Sequence, residues 1–258
     1  MILNSKDIEL LKFKANDVVV KKVVLSTGEY YAKYCSIHDA FMELLGKKIF
    51  DLVEIKCPNY QYVKEARCVI SDDVKKYDTF YNPFDLNMSG HTLRDVKNKL
   101  YGKFSNVDEL YLEVNIMHFI DILFSNIDRH VSNFGFSKKE DGTGYLVVYD
   151  NADFLNDFFK GTRPMAIESA DALSFVFTSK MSEARVFINS LSELEKLYML
   201  KVYEMFSPMR LLTIIRAIEK EQKIKLPNKL EILNKYTKNY LMIGRLLKEK
   251  NASLKKKV

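Results

Sequence analysis

The sequence is poor in cysteine and has no tryptophan. Its 258 residues include three cysteines, without a CxxC pair or the Cys and His spacing of a zinc site. An odd, unpatterned set of cysteines argues against a disulfide framework and indicates reduced thiols. Aromatic side chains are still plentiful, with 17 phenylalanines and 15 tyrosines. The composition is that of a globular protein with a core in one large or two modest domains.

Long apolar runs are also missing. No uninterrupted apolar stretch reaches the roughly 18 residues that a membrane-spanning helix needs. The N-terminus has neither the basic region nor the apolar region of a signal peptide. The sequence therefore predicts no membrane span and a cytoplasmic location, with secretion as an effector left open.

The positive charge of the chain is concentrated at its end. The formal net charge is +6, and residues 245–258 hold six Lys or Arg but one Glu. A solvated basic tail explains this pattern. Nucleic acid is therefore not the expected partner, and a salt-sensitive binding of nucleic acid by this tail is the less favoured alternative.

A short polar motif follows the apolar run of residues 108–126. Asp128 and Asn133 stand five residues apart in Asp-Arg-His-Val-Ser-Asn, and Asp150 ends the strand-like run Tyr-Leu-Val-Val-Tyr-Asp. In kinases an Asp accepts the substrate hydroxyl proton, an Asn five residues later holds Mg²⁺, and an Asp beyond a hairpin holds the metals. The motif therefore predicts phosphoryl transfer from ATP, with Asp128 as base and Asn133 and Asp150 as metal ligands.

A simpler interpretation of this loop is structural. Asp128 would then be a helix cap, and His130 would be a half-buried, hydrogen-bonded imidazole. The order of apolar helix, polar loop, hairpin and strand-end Asp favours the catalytic interpretation.

The N-terminal part predicts a β-hairpin. Residues 18–25 and 29–35 are β-rich runs separated by a turn that contains Gly28. Lys33 lies among apolar neighbours on the second strand, where a lysine is costly unless it meets an anion such as a nucleotide phosphate. The alternative is a lysine on an edge strand whose ammonium group reaches solvent.

A helix is predicted over residues 36–52, with Ser36 or Asp39 as its cap. Glu43 on this helix is a candidate to pair with Lys33, as the helix glutamate does in protein kinases. Glu54 is the alternative partner.

A second strand pair is predicted at residues 59–63 and 65–71. Adenine is expected to bind backbone groups at its end, near Val69, Ile70 and Ser71. The boundary between two lobes is placed at about residue 72, where the sequence turns acidic.

The remainder is predicted to be mainly helical. The long apolar helix at 108–126 delivers the polar loop, and amphipathic helices follow at 191–205, 208–222 and 228–250. Pro208 and Pro227 mark breaks between these last helices.

The motif from Asn126 to Asn133, followed by Val148-Tyr-Asp150, resembles HipA-like and CtkA-like bacterial kinases. The Asp-Arg-His-x-x-Asn form is also similar to phosphatidylinositol 3-/4-kinases. The resemblance implies an α+β, two-lobed protein-kinase-like fold. Its small antiparallel β N-lobe would span residues 1–72, and its larger helical C-lobe residues 73–258. It also implies ATP with Mg²⁺ and a protein substrate with a Ser or Thr acceptor.

The resemblance also implies roles for single residues. Lys33 would contact the phosphates, His130 would contact the γ-phosphate or steady the loop, and Arg129 would pair with a carboxylate. The sequence departs from protein kinases in two places. Asp150 is followed by Asn-Ala rather than Phe-Gly, and no Gly-rich phosphate loop precedes Lys33.

These residues lead to a main hypothesis and two alternatives. The main hypothesis is an ATP- and Mg²⁺-dependent HipA-like serine/threonine protein kinase, with a regulatory protein partner left open. The first alternative is a phosphatidylinositol-type lipid kinase. The second is a nucleotide-binding pseudokinase or interaction module, which the missing Gly-rich loop motivates.

Overall fold

The computed structural model describes residues 3–13, 20–76, 78–88, 93–126, 129, 132–155 and 181–254. These parts of the chain form eight helices and seven strands. The strands are β1 (Val20–Leu25), β2 (Gly28–Tyr34), β3 (Tyr60–Val63), β4 (Cys68–Asp72), β5 (Thr79–Tyr81), β6 (Phe134–Lys138) and β7 (Gly144–Val148). The helices are α1 (Ser5–Phe13), α2 (Ile37–Leu52), α3 (Leu93–Leu100), α4 (Val107–Leu123), α5 (Met181–Ser190), α6 (Glu193–Met205), α7 (Pro208–Gln222) and α8 (Lys229–Leu254).

The N-terminal sheet is antiparallel, with strand order β1-β2-β4-β3. Lys33 on β2 lies directly opposite Val69 on β4, and Ala32 lies opposite Ile70. Because side chains alternate along a strand, Lys33 and Val69 share one face of the sheet. Ala32 and Ile70 share the other face, where they are buried in a small core with Leu11 of α1.

The helix α2 begins where its sequence predicts. The Ser36 side chain accepts a hydrogen bond from the backbone N–H of Asp39, which caps the helix. The middle of α2 is buried, including the charged residue Glu43. On its other side α2 contacts α7, and Lys48 pairs with Glu221 at 2.9 Å. The helical part of the protein therefore holds α2 against the sheet.

The helix α4 lies at the centre of the larger core. Its residues from Val114 to Leu123 are buried without interruption, as expected for a helix that is apolar on all sides. It packs against β7 of the second sheet, whose order is β5-β6-β7. The predicted helix at 108–126 is thus confirmed, and it ends just before the polar loop.

The structure contains four helices or strands that the sequence patterns did not predict. These are α1, α3, α5 and β5. The strand β5 has only three residues; it pairs with β6 and places Phe80 over Gly135 of that strand. A Cβ atom on Gly135 would lie 2.2 Å from the Phe80 ring.

The three C-terminal helices match the predicted runs closely. Ser192 and Glu195 form a capping box at the start of α6, and Ser207 caps α7 with Pro208 in its first turn. Residues 255–258 of the predicted basic tail lie outside the described residues. None of the helices described combines the length and apolar character needed to cross a membrane. The lobe boundary near residue 72 stays a prediction.

Candidate active site

Lys33 lies between two carboxylates at one end of the N-terminal sheet. Its Nζ is 2.8 Å from Glu43 Oε1 and 2.5 Å from Asp150 Oδ1. The Glu43 side chain is 2% exposed, whereas that of Asp150 is 42% exposed. Glu54, the alternative partner, is exposed. The structure therefore brings together three predicted site residues from β2, α2 and the end of β7.

The neighbouring charges of Lys33, Glu43 and Asp150 shift the pKa values of all three groups. Burial alone would lower the pKa of Lys33, but the neighbouring carboxylates of Glu43 and Asp150 outweigh it and raise the pKa. Burial dominates for Glu43 and raises its pKa, because Lys33 only partly offsets the loss of water. For Asp150 the cost of burial is outweighed by Lys33, and its pKa is lowered. Asp150 therefore stays ionised, as a metal ligand must.

Arg129 joins the polar loop to its surroundings. The guanidinium group is 1% exposed and donates from Nε and Nη2 to the two oxygens of Asp121, at 3.0 and 3.1 Å. It also donates from Nη1 to the carbonyl oxygens of Asn133 and Tyr149, at 3.0 and 2.8 Å. A fifth bond runs from Nη2 to Asn151 Oδ1 at 2.7 Å. The pairing with a carboxylate that was expected for Arg129 is thus present.

Asn133 and Asp150 lie at adjoining strand ends. Phe134 at the start of β6 is opposite Val148 at the end of β7, and the Tyr149 N–H donates to the Asn133 carbonyl oxygen at 3.0 Å. Asn133 is 2% exposed. The sequence order of an Asn before one strand and an Asp after its partner therefore places both residues at the same edge of the hairpin.

The predicted catalytic residues Asp128 and His130 lie outside the described residues. Two described residues near them, Asn126 and Arg129, bind one carboxylate. Asn126 donates to Asp121 Oδ1 at 2.8 Å, and Arg129 binds the same carboxylate. Asp121 of α4 therefore holds the two described residues that flank position 128 in the sequence. Residues 156–180, which follow the described end of this region, also lie outside the described residues.

A cavity of about 400 Å³ opens beside Lys33 and Asp150. Val69 and Ser71 line it, while the Ile70 side chain lies on the opposite face of the sheet. The cavity is lined mainly by apolar and aromatic side chains, which include Tyr31, Tyr60, Phe80, Phe84 and Tyr149. Its charged lining residues are Lys33, Glu43, Asp72, Asp73 and Asp150. A mostly apolar cavity with a few charged groups is typical of a site for a small organic ligand.

Several residues of the site were not predicted. Asp121 could have been found, because a carboxylate inside an apolar helix needs a partner. Asn151 follows Asp150 in the motif, but nothing in its sequence position shows what it contacts. Tyr60 and Phe80 come from strands far apart in the sequence and meet only in the folded chain.

The donor set at the edge of the hairpin fits Mg²⁺. Within the described ranges, no group of three or more His, Cys, Asp or Glu side chains could hold a metal ion. A nucleotide-bound Mg²⁺ needs fewer protein ligands, since phosphates and water supply the others. The carboxylate of Asp150 and the side-chain amide of Asn133 carry oxygen donors of the kind that Mg²⁺ prefers, so these are the two residues that could hold the ion.

Comparison with solved structures assigns the fold. The kinase CtkA of Helicobacter pylori, described as proinflammatory, is 16% identical with a TM-score of 0.58. That match covers 88% of this chain and 89% of CtkA. The chain has a HipA-like and CtkA-like kinase fold. HipA of Shewanella oneidensis MR-1, solved with HipB and operator DNA, is 14% identical with a TM-score of 0.53. That match covers 89% of this chain and 64% of HipA.

The HipA-like fold confirms the predicted fold class and the resemblance drawn from the motif around Asp128. At these identities the likeness concerns the fold alone. No protein-family model and no curated protein matches the chain. The chemistry therefore has to be argued from the residues of the site.

Proposed function

We propose that this protein is an ATP- and Mg²⁺-dependent serine/threonine protein kinase of the HipA-like type. The observation that carries the proposal is the contact of Lys33 with both Glu43 and Asp150 in the lining of the cavity. This set of a strand lysine, a helix glutamate and a strand-end aspartate is the one that kinases use to hold phosphates and metal.

The cavity suggests how the nucleotide is placed. The base would lie on the apolar side, between Val69 and the rings of Phe80 and Tyr149. The strand β4 pairs with both β2 and β3, so its backbone groups at residues 69–71 are used within the sheet. We therefore expect the adenine to bind backbone groups just after the strand, from Asp73 onward, with its phosphates directed to Lys33.

The charges of the site support phosphoryl transfer. Asp150 and Asn133 would hold Mg²⁺, which neutralises charge on the phosphates when it is bound. Lys33 now pairs with Asp150, and its ammonium group would turn to the phosphates as the nucleotide enters. Asp128 would accept the proton of the substrate hydroxyl. Arg129 would keep Asp128 in place, because it fixes the loop to Asp121.

The test is transfer of label from γ-labelled ATP with Mg²⁺ to a generic protein acceptor or a cell extract. Asp128→Asn should lose at least about 100-fold in rate, as expected when a general base is removed. Asp150→Ala and Lys33→Met should also lose transfer. Lys22→Met is the matched control, because Lys22 lies on the same hairpin but pairs with the half-exposed Glu29. Circular dichroism should show that every variant is folded.

Three outcomes would contradict the proposal. Unchanged transfer by Asp128→Asn would remove the proposed base. Transfer to inositol lipid but to no protein would favour the lipid kinase, and binding of Mg-ATP without any transfer would favour the pseudokinase. Phosphoamino-acid analysis of the labelled product would test the Ser/Thr assignment.

A regulatory protein partner is a further part of the proposal. HipA was solved together with HipB, and the matching fold makes a comparable partner reasonable here. The test is to purify the full chain, and a variant that lacks residues 245–258, from the native cell and to compare which proteins co-purify with each.

A further inference from the structure

The residue after Asp150 is buried and contacts three separate parts of the site. Asn151 is 0% exposed. Its backbone N–H donates to Glu43 Oε2 at 2.8 Å, and its Oδ1 accepts from Arg129 Nη2 at 2.7 Å. Its Nδ2 lies 3.8 Å from the Cys57 sulfur. Asn151 thus connects α2, the polar loop and the segment between α2 and β3.

Gly46 in the middle of α2 provides the space for this asparagine. A Cβ atom on Gly46 would lie 2.4 Å from Asn151 Cβ, 2.6 Å from its Cγ and 2.8 Å from its Nδ2. Glycine is unfavourable inside a helix, so its presence here needs a reason. The close packing of Asn151 on the backbone of α2 supplies that reason.

Asp150 itself has a strained backbone. Its φ is +56°, in the left-handed region that residues other than glycine rarely adopt. The peptide groups on both sides are held, because the Tyr149 carbonyl oxygen accepts from Arg129 and the Asn151 N–H donates to Glu43. Strain of this kind persists at functional sites where the surroundings fix the conformation.

We propose that Asn151 is a positioning residue that couples α2 to the metal ligand Asp150. Its bonds and its packing on Gly46 keep Asp150 in the left-handed conformation. They also keep Glu43 within reach of Lys33. Movement of α2 away from Asn151 would break the buried hydrogen bond from the Asn151 N–H to Glu43 Oε2. This inference rests on the proposed kinase function, because it concerns how tightly that site binds Mg²⁺. Asn151 would strengthen Mg²⁺ binding by positioning Asp150, without contacting metal or nucleotide itself.

The first experiment measures binding of a nonhydrolysable ATP analogue by calorimetry at a series of Mg²⁺ concentrations. Asn151→Ala should raise the Mg²⁺ concentration for half-maximal binding by about 10- to 100-fold, as is common when a group that orients a metal ligand is removed. Gly244→Ala is the matched control. Gly244 lies in α8, and a Cβ atom there would lie 2.2 Å from the Tyr203 hydroxyl oxygen. This variant should lose stability without a change in Mg²⁺ dependence.

The second experiment tests the contact with α2 through a double-mutant cycle. Gly46→Ala should weaken Mg²⁺-dependent binding, since the new methyl group meets the Asn151 side chain. In an Asn151→Gly background the same change should have no further effect, because the space is then empty. Additive effects of the two substitutions would overturn the coupling, as would a wild-type Mg²⁺ dependence in Asn151→Ala.

A third measurement separates this inference from the proposed function. Hydrogen exchange of the α2 amides requires no nucleotide, and it should be faster in Asn151→Ala than in wild type or Gly244→Ala. Unchanged exchange would count against the coupling. A different result would contradict the kinase proposal and leave the coupling intact: faster exchange in Asn151→Ala than in wild type, together with no binding of Mg-nucleotide by the wild-type protein.

Discussion

Replacement of Arg129 by methionine tests how the polar loop is held. The substitution removes five hydrogen bonds and leaves the carboxylate of Asp121, which is 2% exposed, without its cation. Breaking one side of a buried ion pair costs about 3–5 kcal/mol. For a chain of this size each kcal/mol lowers the melting temperature by about 2–4 °C, so we expect a fall of roughly 6–20 °C.

The expected loss of stability comes from the buried carboxylate of Asp121 that no longer has a cation beside it. A second variant, which also removes this carboxylate, tests that reason. Burial already raises the pKa of Asp121, while Arg129 opposes that rise. In Arg129→Met the carboxyl group should take up a proton more readily, so the variant should become less stable as the pH rises. The double variant Arg129→Met/Asp121→Met should be more stable than Arg129→Met alone, because no buried charge remains.

Urea unfolding followed by circular dichroism would measure these differences. Lys97→Met is a suitable control, since Lys97 and Asp108 form an ion pair at 2.6 Å with side chains 35% and 83% exposed. Its removal should cost less than about 1 kcal/mol. A loss no larger in Arg129→Met than in this control would refute the reasoning, as would a double variant less stable than the single one.

Two further predictions concern a partly buried acid, Glu113, and the cavity wall. Burial raises the pKa of Glu113 to about 7 from its ordinary 4.5, although its side chain accepts a hydrogen bond from the Leu146 N–H. As the pH rises from 5 to 8, the free energy of unfolding of the wild type should therefore fall by about 1–2 kcal/mol relative to that of Glu113→Gln, after allowance for solvent screening. Urea unfolding would measure both, and curves of stability against pH that run parallel for the two proteins would contradict this. Gly135→Ala should displace Phe80 from the cavity wall and weaken ATP binding, at a cost in stability of about 1–3 kcal/mol. Gly144→Ala is the control, because its new methyl group meets the Phe104 ring away from the cavity, so it should lose stability but keep its ATP affinity. Calorimetry would measure the ATP affinity, and the same affinity in Gly135→Ala and Gly144→Ala would rule out the role of Phe80.

Local patterns explain why so much of the fold could be predicted. The Ser36 cap, the apolar run of α4 and the alternating strands each depend on residues close together in the sequence. The interval from Asp128 to Asn133 likewise belongs to a single loop. The elements that escaped prediction are short, and β5 forms only because β6 is already present to pair with it.

The sequence by itself determined most of the longer helices and strands and the candidates for base, metal ligands and phosphate contact. Only the tertiary structure decided that Lys33 meets Glu43 rather than Glu54, because this depends on which face α2 turns to the sheet. It also decided that Asn151 packs on Gly46 and binds Arg129. Such contacts join segments far apart in the chain, and they form only when burial brings those segments together. No periodicity or spacing in the sequence records them.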